Sequence, residues 1–225
     1  MGIWDLPASE KDAVELLQGY GIMPNEQELG IADKTVIDWN NYMREICALE
    51  MNEKERKQIG DEGLIVEIDE SLFVKRKNNT GRVLPQQWVF GGICRETKET
   101  FLVTVPNRSA VTLMEKICEN IKEGSIIYSD CWKGYKTSEL ENAGFLHGTV
   151  NHKYNFVDPD TGVHTQHVER MWGSAKWRNK KQRGTAHHLD SYLIEFIWRP
   201  AQAVNGEGGF QSVLKAIAKR FPPKK

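Results

Sequence analysis

Short apolar runs, broken by turn-forming residues, fill the middle of this chain, and their spacing switches between strand-like and helical. Leu64-Ile65-Val66-Glu67-Ile68-Asp69 is a β-branched run that ends on an acid. Trp88 to Cys94 and Thr100 to Val105 are two further strand-like runs, with Gly91-Gly92 and Thr97-Lys98 as breaks or turns. Together they predict an antiparallel meander. Ser109 to Lys122 predicts a helix, because Val111, Met114, Ile117, Cys118 and Ile121 recur at helical spacing and Gly124 stops it. Ser125 to Asp130 reads as a fourth strand, again ending on Asp. Tyr135 to Asn142 reads as a short helix stopped by Gly144, and Phe145 to Val150 as a fifth strand. The turn chemistry of Asp158-Pro159-Asp160-Thr161-Gly162 precedes a helix from Thr165 onward. The order βββ-α-β-α-β-α predicts an α/β fold, a ribonuclease-H-like mixed sheet covered by helices.

The pattern before residue 60 is different. Ala13, Val14 and Leu17 share one face of a helix over residues 10–18. Val36, Trp39, Met43, Ile46 and Leu49 form the apolar stripe of another over residues 33–50, with Asp33 as its N-cap. The link from Leu29 to Val36 has the shape of a helix-turn-helix, in degenerate form. Pro24 shortens the helix before it, and the candidate recognition helix is acidic. A plain helical hairpin packed on the main domain is the competing reading. The expected division is a helical region over 1–60, a ribonuclease-H-like domain over 61–200 and a basic tail over 201–225.

Composition narrows the class. The 225 residues are 40% hydrophobic and 27% charged, as in globular chains. No apolar run approaches the roughly 18 residues that span a bilayer, and the first residues do not read as a signal peptide. A non-secreted protein with no membrane partner is expected. Cys47, Cys94, Cys118 and Cys131 form no C-x-x-C pair, so free thiols in a reducing compartment are expected. Residues 1–70 hold 17 acidic and 6 basic side chains, while residues 71–225 hold 14 and 24. The net charge of −1 therefore hides a basic C-terminal part suited to a polyanion.

Three acids fall where strand ends and a helix start can converge. Asp69 closes the first strand, Asp130 closes the fourth, and Glu169 lies one turn into the last helix. In this topology the first and fourth strands are neighbours. Hard carboxylate oxygens are the ligands Mg²⁺ takes, and two such ions can activate an attacking oxygen and stabilise a leaving one. Glu67 is the nearest rival to Asp69, because alternation puts both on one face while Glu70 faces away.

Candidate DNA contacts follow from charge. Lys176, Arg178, Lys180, Lys181 and Arg183 continue the last helix beyond Glu169. Val168, Trp172 and Ala175 fall on its apolar face, and Glu169, Gly173 and Lys176 on a neighbouring one. Lys75, Arg76 and Lys77 sit at a hairpin tip after the first strand. The histidines of the last third, His152, His164, His167, His187 and His188, match no standard zinc-ligand spacing. His164 and Thr165 are expected to orient or pack beside Glu169. Ser109 and Ser129 lack the G-x-S-x-G elbow of a serine hydrolase.

The segments VEIDESLF (66–73), WVFGGICRETKETFLVTVPNRSA (88–110), IIYSDCWKGY (126–135) and NHKYNFVDPDTGVHTQHVERMWGSAKW (151–177) resemble the Merlin superfamily of DNA transposases. They also resemble its bacterial insertion-sequence relatives, the ISXO2-like transposases. The resemblance covers about residues 62–199. Ser-Asp-x-Trp-x-Gly-Tyr and His-Thr-Gln-x-Val-Glu are its most specific motifs. It implies that Asp69, Asp130 and Glu169 are the catalytic acids and hold two Mg²⁺ or Mn²⁺ ions. The 38 residues between Asp130 and Glu169 fit the family's pattern. It further implies hydrolysis and strand transfer of transposon DNA, with transposon ends and target DNA as partners, and a homo-oligomer. The compartment would be the nucleus in a eukaryote, otherwise the cytoplasm or nucleoid. The zinc ribbon that the bacterial relatives often carry has no counterpart residues here. A catalytically inactive or domesticated transposon-derived DNA-binding protein is the alternative.

Overall fold

The computed structural model describes residues 33–53, 57–73, 87–181, 189–203 and 209–221. The expected helix at 10–18, most of the helix-turn-helix-like link and the hairpin tip with Lys75, Arg76 and Lys77 lie outside them. The chain divides into two compact units. One comprises Arg56–Trp177 with Gly184–Asp190, the other Met1–Glu55, Arg178–Arg183 and Ser191–Lys225.

The first unit is built on a five-stranded sheet. In chain order its elements are β1 (Ile65–Leu72), β2 (Trp88–Cys94), β3 (Thr100–Val105), a helix at Ala110–Asn120, β4 (Ile126–Asp130), a helix at Thr137–Asn142 and β5 (Leu146–Val150). Another helix, Gln166–Lys181, starts in this unit. Counting the Asp33–Glu53 helix of the other unit as α1, these three are α2, α3 and α4. The sheet order is β3-β2-β1-β4-β5. β1, β2 and β3 form the antiparallel meander, and β4 and β5 run parallel to β1. This is the ribonuclease-H-like mixed sheet that the order of runs predicts.

One boundary differs in a way that matters. Asp69 is not the last residue of β1, which continues to Leu72 because pairing with β2 persists to Leu72↔Trp88. Pairing with β4 stops earlier, at Glu67↔Tyr128. Asp69 therefore sits where β1 has parted from one neighbour and still holds the other. α2 starts one residue later than expected, with the Ser109 hydroxyl accepting from the Thr112 N–H at 3.3 Å as an N-cap. α4 is described as far as Lys181, and Arg183 lies outside the described residues.

The two sheet faces are covered differently. Val66 and Ile68 of β1, Phe90 of β2 and Ile127 of β4 cluster with Leu113, Ile117 and Ile121 from the α2 side. Each fully buried aliphatic or aromatic side chain here contributes about 1.5–3 kcal/mol. The opposite face carries Glu67 and Asp69 and receives α4, whose Val168, Met171, Trp172 and Ala175 are buried.

The second unit holds α1, α5 (Leu189–Ala203) from Ser191 onward, and α6 (Gly209–Arg220). Ile46, Cys47, Trp198, Val213 and Ala216 form its core. Of the predicted α1 stripe, Ile46 is buried and Met43 and Leu49 pack against this core. Trp39 instead is exposed. Burial, with the Glu195 charge nearby, pushes the Cys47 thiol up to about 12, so it stays protonated. All four cysteines are free.

Candidate active site

Parallel pairing brings two of the three acids level. β1 and β4 are in register at Glu67↔Tyr128, so two residues further along each strand stand Asp69 and Asp130. Alternation gives them the same face, the one under α4. Asp69 lies opposite Gly91 across the β1–β2 pair. A Cβ on Gly91 would stand 2.9 Å from the Trp172 ring and 2.5 Å from a Leu102 methyl. The glycine thus lets α4 approach the sheet beside Asp69. Gly91→Ala should cost about 1–3 kcal/mol by overpacking, read as a lower urea midpoint.

The electrostatics of the pair are unfavourable as they stand. Burial, the adjacent Glu70 charge and the Asp130 charge push the Asp69 carboxyl up to about 7, against the pull of the Glu70 N–H, which donates to its Oδ1 at 2.8 Å. The buried Trp172 indole N–H has no full hydrogen bond, though its proximity favours the charged form of Asp69. Asp130 Oδ1 accepts from the Trp132 N–H at 3.0 Å, which fixes the turn after β4. Because the folded value of Asp69 lies above the unfolded one of about 3.9, its contribution to stability is full below about pH 4 and is lost as pH rises through 7. With chelator present, Asp69→Asn should therefore melt at progressively higher temperature than wild type as pH climbs through that window.

Glu70 points to the other face and belongs to a separate cluster. Tyr135 donates a short hydrogen bond to its Oε2, and Arg108 lies 3.5 Å from its Oε1. Burial and the Asp130 charge raise its pKa despite these partners. The Arg108 guanidinium is held between the Trp88 and Trp132 rings, 4.1 and 4.5 Å from their centroids.

Glu169 lies in the first turn of α4 with its side chain 47% exposed. Thr165 donates to its Oε1 at 3.2 Å, and His152 Nε2 donates to the Thr165 hydroxyl at 2.6 Å. His164 is not part of this chain. It stacks on His167 with ring centroids 5.6 Å apart, and its carbonyl accepts from Arg95 at 2.7 Å. Among the described residues, the trio of metal-capable side chains whose ligand atoms lie within 4.8 Å of one another is Glu67, His164 and His167.

That trio already holds a cation. Arg95 Nε stands 2.5 Å from Glu67 Oε1, and a metal ion there would have to displace it or share the same oxygen. Burial raises the Glu67 pKa, but hydrogen bonds from His167, the Val168 N–H and Arg95 outweigh it and hold the carboxyl below its ordinary range. Glu67 is an acid with full partners, whereas Asp69 and Asp130 are acids facing each other.

Residues 61–200 match the family model of the ISXO2-like transposase domain. The chain belongs to this family. A transposase-like protein of Haemophilus influenzae is 30% identical over 102 residues, which are 45% of this chain and 80% of that one. Among solved structures, the catalytic core domain of BIV integrase is 14% identical with a TM-score of 0.43, over 70% of this chain and 97% of that one. The HTLV-2 integrase catalytic core domain, solved with magnesium, is 12% identical with a TM-score of 0.40, over 60% and 83%. A chain of the simian T-cell lymphotropic virus intasome is 16% identical with a TM-score of 0.40, and this transposase-family chain spans half of it.

Of the basic residues expected to touch DNA, only Lys176 has a described side chain. It is exposed on α4, 5.9 Å from the Phe73 ring centroid. Arg178, Lys180 and Lys181 lie on the helix with side chains outside the described set, as do Lys75, Arg76, Lys77 and Arg183 altogether. Among the described residues no helix is long and apolar enough to cross a membrane. The sequence reading missed three contacts: His152 beside Glu169, Tyr135 on Glu70, and the full set of donors on Glu67. Glu67, Tyr135 and His152 all lie inside the quoted segments. Nothing in the spacing of His152 signals its contact.

Proposed function

We propose that this transposase-family protein is a metal-dependent DNA transposase that cuts phosphodiesters at transposon ends and joins the freed 3′-hydroxyl to target DNA. The observation that carries this reading is the pairing of Asp69 with Asp130, level on adjacent parallel strands and on one face. Burial, with the Glu70 and Asp130 charges beside it, disfavours the charged form of Asp69. Clustered carboxylates of this kind suit a hard divalent cation, which removes the repulsion. Asp69 and Asp130 suit Mg²⁺ or Mn²⁺ by this chemistry, and Glu169, which contacts Thr165 and His152 in this structure, would be the third ligand. A pair of such ions would supply positive charge at the attacking and leaving oxygens of the displacement.

The protein's own residues do the rest. With an ion bound, Asp69 would be held in its charged form. Thr165 and His152 hold the half-exposed Glu169 carboxylate in the first turn of α4. Lys176, exposed on α4, offers a phosphate contact, with Arg178, Lys180, Lys181 and Arg183 as the further DNA contacts proposed from the sequence. Such contacts fix the register of DNA without reading its sequence. Lys75, Arg76 and Lys77 add a second phosphate contact, and a homo-oligomer would bring two ends together.

The test is incubation of the protein with duplexes carrying the sequences that flank its own reading frame, in Mg²⁺, Mn²⁺ or chelator. Divalent-dependent nicks and joined products support the reading. Preference for an RNA–DNA hybrid would point to a nuclease without a transposition role. DNA binding without cleavage under every metal condition would show a transposon-derived binding protein.

A further inference from the structure

Glu67 is fully buried, at 0% exposure, and such a carboxylate is stable only when its oxygens are satisfied. Oε2 accepts from the backbone N–H groups of His167 at 2.8 Å and Val168 at 3.1 Å. Oε1 accepts from His167 Nδ1–H at 2.8 Å and from Arg95 Nε at 2.5 Å. The two backbone donors belong to the first turn of α4, where amides have no partner within the helix and an anion is favoured. A residue of β1 thus caps a helix one hundred positions later in the chain. Arg95 is fixed in turn, because it donates to the His164 carbonyl at 2.7 Å and lies 4.7 Å from the Tyr128 ring centroid.

The cap ties together the two elements that carry the proposed metal ligands. Glu67 precedes Asp69 by two residues on the same strand face, and His167 precedes Glu169 by two residues in α4. Movement at this joint would shift α4, and Glu169 with it, relative to Asp69. Resting on the functional reading above, we infer that Glu67 is a positioning residue: its carboxylate, capping α4 and paired with Arg95, sets where Glu169 stands with respect to Asp69. It touches neither DNA nor the reacting atoms. The cluster with His164 and His167 is a joint built around the Arg95 cation rather than a metal site.

The test compares wild type with Glu67→Gln, which keeps the volume and one acceptor oxygen, and with His167→Ala, which removes one donor. For each protein, DNA affinity, cleavage rate against Mg²⁺ concentration, Mn²⁺ binding by calorimetry and amide hydrogen exchange are measured. Glu67→Gln should raise the Mg²⁺ needed for half-maximal cleavage and weaken Mn²⁺ binding by about 10–100-fold. DNA affinity should stay within about twofold, because no phosphate contact is lost. Exchange should quicken at the His167 and Val168 amides while those of β1 and β2 keep their protection. His167→Ala should move in the same direction by less.

Three results would overturn the inference: an unchanged Mg²⁺ requirement and Mn²⁺ affinity in Glu67→Gln, loss of activity that merely tracks faster exchange across the whole sheet, or stoichiometric Zn²⁺ binding by wild type that His164→Ala abolishes. A wild type with no divalent-dependent cleavage in the same experiment overturns the functional reading itself, and this inference with it.

Discussion

Asp130→Asn should lower divalent-dependent DNA cleavage by about 10³-fold or more while leaving the fold intact. Positive charge from bound ions is worth several kcal/mol of transition-state stabilisation, and each 1.36 kcal/mol is about a factor of ten in rate. Asn retains the oxygen that accepts the Trp132 N–H, so the turn after β4 survives. It also removes a negative charge that disfavours ionisation of both Asp69 and Glu70. In chelator the variant should therefore melt no lower than wild type. A variant that is inactive yet at least as stable separates a catalytic acid from a structural one. Undiminished cleavage would remove Asp130 from the site.

Phe90→Ala should have the largest effect on stability. The ring lies in the fully buried face of β2, opposite Glu70 on β1 and Val103 on β3, and tilts at 59° against Phe101 with centroids 5.4 Å apart. Removing it from the cluster with Val66, Ile68, Leu113 and Ile117 should cost about 3–5 kcal/mol. Tyr154→Ala gives the contrast. Its ring is exposed, so the substitution should stay within about 0.5 kcal/mol. Denaturant titration of both variants measures the difference. A small cost at Phe90 would contradict the placement of the core on the α2 side of the sheet.

The sheet was legible because its strands are short β-branched runs punctuated by glycine and turn residues, and α2 because apolar residues recur along it at helical spacing. Its buried face, however, is Leu113, Ile117 and Ile121, while Val111 and Cys118 of the expected stripe are exposed. Register and face were less so. Apolar runs look alike whether a strand pairs on one side or both, so the extension of β1 past Asp69 to Leu72 shows only in its pairing with β2. Alternation does place Glu67 on the face of Asp69, yet no pattern within β1 tells that one acid meets helix amides while the other meets acids. That distinction depends on where α4 returns, a contact across one hundred residues. The exposure of Trp39, likewise, reflects which stripe positions of α1 find partners, and periodicity alone does not decide that.

The central claim is that Asp69 and Asp130, with Glu169, gather divalent metal while Glu67, His164 and His167 do not. Crystals of the protein soaked in Mn²⁺ and measured at the manganese absorption edge test it directly. The account predicts anomalous density between the Asp69 and Asp130 carboxylates, with Glu169 as a further ligand, and its loss in Asp130→Asn. Density on Glu67, His164 and His167 with none beside Asp69 would contradict it.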